Sequence, residues 1–248
     1  MAAAAYLERI QALIRSLCDE ELAAIGQAAE SVAERLAAGG RLHHFDTGHM
    51  KREPIRRAGG LVGLHPLELE LEVRHRAPAG RSSAHTEAEQ SYFYDREDLA
   101  DYLIEKSNLV AGDVLVQVSN SGKEAFTVGV AAAAQARGVL VVALTSVAFS
   151  RELEARHSSG KRLFELADLV VDMKAPPGDA LLELPGLATA VAPASGVMTA
   201  VTLWALMAEI CARLTERGLA PAVYRSVNLP DGWAFNREQI ALYESRGY

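Results

Sequence analysis

The chain has 248 residues, of which 50% are hydrophobic and 23% charged, and its formal net charge is −7. That length buries one sizeable core or at most two small ones, and the composition is that of a globular protein. No basic domain or dense basic stripe is present, which argues against a nucleic-acid partner but leaves room for an anionic small ligand at a locally positive site.

The two cysteines, Cys18 and Cys211, lack a metal-ligand spacing, and each sits in a helical pattern. Two free thiols in a reducing cytoplasm are the expectation. Glu8, Arg9 and Arg15 interrupt any apolar signal-peptide core.

Residues 2–38 read as helix. Leu7, Ile10, Leu13, Ile14 and Leu17 recur at spacings of three and four, and Leu22, Ile25, Ala29, Val32 and Leu36 continue the stripe. Gly26 is a candidate break into two helices, and Gly39-Gly40 ends the run. Residues 41–46 then read as a strand, Thr47-Gly48-His49 as a tight loop, 50–58 as a helix closed by Gly59-Gly60, and 61–65 as a second strand stopped by Pro66. Residues 67–74 alternate apolar and charged, as a half-exposed strand or an extended excursion. A loop over 77–83 leads to a helix over 86–107.

The most legible unit follows. Val114–Val118 and 139–144 are short β-branched apolar runs, the pattern of buried strands. Between them lie Ser119-Asn120-Ser121-Gly122-Lys123-Glu124 and an alanine-rich, proline-free run ending at Gly138, the pattern of a helix. Such a crossover implies parallel strands. A short helix is expected over 151–156, a strand over 168–172 and a turn at 175–178. Residues 184–207 carry no charge, but Pro185, Gly186, Pro193, Ser195 and Gly196 break the stretch. It therefore reads as a loop and a core helix from Ser195 to about Arg217, and no membrane span is expected. A turn at 228–232 and a helix over 236–246 close the chain.

The class is α/β with helices on both faces of a five-stranded parallel sheet, in flavodoxin-like order. Its switch point would lie between the loops at Thr47 and Ser119, where such sheets hold ligands. Three hydroxyl-bearing loops converge there. Ser119, Ser121, Gly122 and the amides of Asn120 to Lys123 suit a phosphate at a helix N-terminus. The bland alternative is an ordinary capping turn with Ser121 as N-cap. Thr47-Gly48-His49 and Thr145-Ser146 end two other strands on that edge.

Six of the seven histidines fall between His43 and His85. No two stand at i, i+4, and His43 and His44 point to opposite faces of a strand, so no metal site is assigned. His49 is the histidine best placed for acid–base work or for hydrogen bonding a ligand, and Glu53, Glu87 and Glu124 are the candidate carboxylates. There is no G-x-G-x-x-G after a strand and no G-K-[ST] loop, so neither a dinucleotide nor any other cofactor is expected.

Val118-Ser-Asn-Ser-Gly122, Phe45-Asp-Thr-Gly-His49, Arg57-Ala-Gly-Gly-Leu61, Val141–Ser146 and the tail Asn228-x-Pro-x-Gly232 with Asn236-Arg237 together resemble the sugar isomerase (SIS) domain family, stand-alone type, over roughly residues 40–248. The resemblance implies a three-layer α/β/α sandwich. It implies a helical segment 1–40, an SIS domain 41–218, and a turn and helix 219–248 completing the domain or a homodimer. By matching motif, Ser119, Asn120, Ser121, Gly122 and Thr145 or Ser146 would hold the phosphate of a sugar or amino sugar. Thr47 and Gly48 would flank the sugar, and His49, Glu53 or Glu124 would supply the base. Two positions depart from the family pattern: Glu124 stands where many such loops carry Ser or Thr, and Phe235 where a histidine precedes the tail asparagine. The implied activity is aldose–ketose isomerisation of a phosphosugar. The alternatives are a non-catalytic phosphosugar sensor, or a lyase cleaving a substituted amino-sugar phosphate. Residues 1–40 show no basic helix-turn-helix face.

Overall fold

A computed structural model describes residues 1–48, 50–71 and 93–248. Five strands form one all-parallel sheet: β1 (Leu42–Asp46), β2 (Leu64–Pro66), β3 (Val114–Val118), β4 (Leu140–Thr145) and β5 (Leu169–Asp172). Their order is β2-β1-β3-β4-β5. This is the flavodoxin-like order, with its reversal between β1 and β3. β3 and most of β4 are buried on both faces, which accounts for their unbroken apolar runs.

Helices cover both faces. On one face lie α1 (Ala2–Ala37) and α6 (Ser195–Glu216), packed on Val114, Val116, Val118, Val142 and Leu144. On the other lie α2 (Glu97–Lys106) and α3 (Ala125–Ala136), packed on Leu115, Val141 and Ala143. The alternation of strand side chains divides the core into these two halves. Helix α6 is long and apolar enough to cross a membrane by length and composition. Met198, Leu203, Leu206, Ile210 and Leu214 of that helix are fully buried in the core beside α1. Further along the chain come α4 (Val147–Glu152), α5 (Leu163–Leu166), an antiparallel hairpin of β6 (Ala180–Leu182) and β7 (Val191–Pro193), and α7 (Gly232–Arg246).

Several elements differ from the sequence expectation. Helix α1 runs unbroken through Gly26, because burial of Ile25, Ala28 and Ala29 against α6 offsets the roughly 1 kcal/mol that glycine costs a helix. No helix forms over the described part of 50–58, where turns run instead; Pro54 denies that segment a backbone donor. The second strand is Leu64–Pro66 rather than 61–65, because Val62 donates to Ala222 O at 3.0 Å and Leu61 bridges Val223 in the tail. Residues 67–71 are not strand, although Leu67 N donates to His44 O at 2.8 Å. The helix expected over 86–107 is, in its described part, a 3-10 turn at Phe93–Asp95 followed by α2. The loop at 77–83 and the remainder of 67–74 lie outside the described residues.

The helix after β4 spans Val147–Glu152 instead of 151–156, started by Ser146, whose Oγ accepts from Phe149 N at 3.3 Å. The last helix begins four residues early, at Gly232. Ser121 is not an N-cap: α3 starts at Ala125, with Glu124 in the cap position.

Candidate functional site

The register sets the site. Asp46 pairs with Val118, Val118 with Leu144, and Thr145 with Asp172. Thr47, Ser119 and Thr145 therefore leave the sheet side by side at its carboxyl edge, neighbouring strands being ~4.8 Å apart. The first two flank the switch point.

The loop after β3 is a closed turn. Ser119 is buried; its amide donates to Leu144 O at 3.1 Å, and its Oγ accepts from Gly122 N at 3.2 Å. Asn120 O accepts from Ser146 N at 3.1 Å and from Thr145 Oγ1 at 3.3 Å. Gly122 has φ +58°, and a Cβ there would stand 3.0 Å from Thr145 Oγ1, 3.2 Å from Leu163 Cβ and 3.3 Å from Ser150 Oγ. The turn is pinned from behind, since Leu163 N donates to Gly122 O at 2.7 Å and Arg156 N to Lys123 O at 3.1 Å. These long-range bonds draw Gly122 and Lys123 out of helical geometry and delay the start of α3.

Three polar groups around this turn are left over. The Ser121 hydroxyl has no partner among the described residues. Asn120 Oδ1 and Ser150 Oγ are buried without a hydrogen bond. Buried orphans of this kind call for a ligand or an ordered water. The first-turn amides of α3 add free donors and the positive end of a helix dipole. Thr145 and Ser146 are both fully buried, and their hydroxyls serve the fold: Thr145 Oγ1 donates to Asn120 O, and Ser146 Oγ donates to Ala175 O at 2.5 Å. They brace the turn from behind.

The loop after β1 is organised by Asp46, which the sequence reading did not single out. Its buried carboxylate accepts from Gly48 N at 2.5 Å and Met50 N at 2.7 Å. An aspartate at a strand end before Thr-Gly is the available signal, since Asx side chains take nearby amides in turns. Thr47 O accepts from Tyr94 OH at 3.1 Å. His49 and Glu87 lie outside the described residues. Beside this loop opens a cleft of about 440 Å³, lined by Asp46, Gly48, Lys51, Arg52, Glu68 and Glu70 among others. Next to Phe45 in β1, His44 is 1% exposed, and neither ring nitrogen makes a hydrogen bond of normal geometry. Burial holds its pKa below the ordinary value, against the opposing charges of Asp46 and Glu68.

Both described candidate bases stand in ion pairs, Glu53 with Arg57 at 3.1 Å and Glu124 with Arg156 at 3.0 Å. Lys123 Nζ lies 3.8 Å from Glu124. His43 and His65 belong elsewhere, near the start of β1: His43 Nε2 is 3.3 Å from Asp113 Oδ2, and His65 Nε2 is 2.5 Å from Tyr243 OH. Among the described residues no three His, Cys, Asp or Glu side chains stand together as metal ligands.

Comparison with known proteins adds to this geometry. The chain is 32% identical over 244 residues to a UPF0309 protein of Halalkalibacterium halodurans, covering 97% of this chain and 94% of that one. It is 36% identical over 239 residues to a UPF0309 protein of Streptomyces griseus, covering 94% and 92%. Its fold is similar to that of phosphoheptose isomerase from Neisseria gonorrhoeae, with a TM-score of 0.54 at 18% identity over 86% of this chain and 97% of that one. Residues 5–146 match the model of the SIS domain, and the chain belongs to the SIS domain family.

Proposed function

We propose that this protein binds a phosphorylated sugar or amino sugar at the β1–β3 switch point and interconverts its aldose and ketose forms. The observation that carries the reading is the Ser119–Lys123 turn. It joins an unpartnered Ser121 hydroxyl, a backbone opened at Gly122 by φ +58°, and the free amides at the start of α3. Neutral donors and a helix N-terminus bind a phosphate without a full counter-charge. Anchored there, the sugar extends toward the β1 loop, past Thr47 and Gly48, and a base moves a proton between adjacent carbons. His49, Glu53 and Glu124 are the candidates for that base.

A second reading, binding without turnover, draws support from the ion pairs. Arg57 and Arg156 each engage a carboxylate oxygen, of Glu53 and Glu124 respectively. A homodimer and a cytoplasmic location accompany either reading. The exposed Val227, Leu229 and Trp233 of the tail support the dimer, and sedimentation tests it.

The deciding experiment is a thermal-shift screen against sugar phosphates, with the free sugars as controls, followed by NMR of the best ligand for turnover. A ligand bound only by the native state raises Tm by mass action. Stabilisation by phosphosugars but not free sugars supports the phosphate site, and the NMR spectrum separates isomerase from binder. Equal shifts from free sugars and their phosphates would overturn the site.

A further inference from the structure

The cleft beside the phosphate turn has a composition that the phosphate does not explain. Its volume of about 440 Å³ falls within the ~300–1,000 Å³ range of small-molecule sites. Its floor is the end of β1 at Phe45 and Asp46, and Asp46 stands in register with Val118, the residue before Ser119. The cleft and the turn therefore occupy neighbouring strand ends, a separation of ~5–10 Å that one sugar phosphate spans.

The walls carry charges of both signs. Arg52 reaches Glu68 at 3.8 Å and Glu70 at 3.7 Å, distances that leave the carboxylates accepting capacity. Glu70 is mostly solvated, with 83% of its side chain exposed, whereas Glu68 is 35% exposed. Glu68 itself lines the cleft. The remaining carboxylate, Asp46, already accepts Gly48 N and Met50 N. Glu68 is thus the cleft carboxylate that combines partial shelter with unused lone pairs. A carboxylate in that position accepts hydrogen bonds from vicinal hydroxyls or an amine and repels a second anionic group.

We propose that this cleft seats the polyhydroxy end of the phosphosugar, with Glu68 as the side chain that recognises its hydroxyls and Arg52 as the residue that positions Glu68. The inference rests on the phosphate-site reading above and adds the location and chemistry of sugar recognition.

The test compares inorganic phosphate with glucose 6-phosphate, fructose 6-phosphate and glucosamine 6-phosphate by calorimetric titration of the full chain. Wild type is expected to bind at least one sugar phosphate more tightly than phosphate. Glu68→Gln is expected to lower that preference about tenfold or more while leaving inorganic phosphate affinity unchanged. Arg52→Gln is expected to lower it less, and Ser121→Ala to weaken both probes together. Unchanged preference in Glu68→Gln, with Ser121→Ala still weakening both probes, would sink the subsite and leave the phosphate site standing. Failure of wild type to bind any probe overturns the phosphate site and the subsite with it. The melting temperature of each free variant checks that Glu68→Gln and Arg52→Gln are folded, and Glu68→Asp, which keeps the charge, should recover part of the preference.

Discussion

Arg156 Nη1 stands 3.0 Å from Glu124 Oε2 and 3.1 Å from Asp95 Oδ1, so one guanidinium bridges the start of α3 and the turn before α2. The pairing bears on how an acidic residue is tolerated at the mouth of the proposed phosphate turn. Glu124 follows the turn directly, and alone its charge would oppose an anion. Arg156→Ala is expected to lower phosphosugar affinity about two- to fivefold, since partly exposed pairs are worth ~0.2–1 kcal/mol. Adding Glu124→Gln should restore it. The loss should shrink at high salt, where exposed charges are screened. Titrations of the single and double variants at two ionic strengths check both points.

Ser121 and Gly122 should separate binding from stability. The Ser121 hydroxyl bonds to nothing among the described residues, so Ser121→Ala is expected to leave Tm unchanged and to weaken phosphosugar binding by ~1–2 kcal/mol, the size of a charge-assisted hydrogen bond. Gly122→Ala is a different perturbation. It strains a backbone at φ +58° by ~1–2 kcal/mol and drives a methyl toward Thr145, Leu163 and Ser150. Both Tm and affinity should fall, the latter more than tenfold. Calorimetry and thermal unfolding of the two variants test the contrast.

The parts of this fold that were legible in sequence are those that local pattern determines. The β3–α3–β4 unit shows in its apolar runs and alanine-rich crossover, and the strand order follows from where the chain must reverse. The misplaced elements are those decided by distant partners. Val62 is claimed by Ala222 in the tail, and the start of α3 is set by bonds from Leu163 and Arg156 that no local pattern contains. The helix expected over 50–58 was an error that Pro54 should have prevented. At the site, the hydroxyl-bearing turns were visible because they follow recognisable strands. Which hydroxyls are free was not: Ser121 is unpartnered, whereas Thr145 and Ser146 are spent on Asn120 O and Ala175 O. Arg156 and Glu68 were invisible as candidate site residues, because only folding brings them to the turn and the cleft.

Three histidines make stability depend on pH. Burial is the leading cause that lowers the pKa of His43, His44 and His65 below the ordinary value near 6.5, so each is held neutral in the native state. Protons bind the unfolded chain first. Stability is therefore fully present above about pH 6.5 and is lost as pH falls below it toward the native pKa values. For His44, 1% exposed, the slope approaches ~1.4 kcal/mol per pH unit at most. The carboxylates whose pKa is lowered, Glu165 to about 2 among them, add their losses only below about pH 4.5. Urea unfolding at pH 7.5 and pH 5.5 should show a clear drop, and a flat result over that interval would contradict the buried neutral state. His44→Gln should reduce the slope.

The C-terminal helix is held to the edge strand by a small interlock whose parts are separable. Tyr243 OH lies 2.5 Å from His65 Nε2, the guanidinium of Arg41 lies 5.8 Å from the Tyr243 ring centroid, and Arg41 donates to Gly247 O at 3.3 Å. The ring fits because residue 63 has no side chain: a Cβ on Gly63 would stand 2.5 Å from Tyr243 Cε2 and 3.1 Å from Cδ2. Gly63→Ala therefore displaces the ring and breaks its bond to His65, at an expected cost of ~1–3 kcal/mol. Tyr243→Phe keeps the ring and loses only the hydrogen bond, which predicts ~1 kcal/mol. Tyr243→Ala removes the obstacle to a methyl at residue 63, so in that background Gly63→Ala should cost much less. A double-mutant cycle by urea unfolding measures the coupling. Additive costs would show that residue 63 is small for a reason other than Tyr243. Because Arg41, which Tyr243 meets, precedes β1 at the end of the sheet opposite the Ser119–Lys123 turn, the same variants should leave phosphate affinity unchanged.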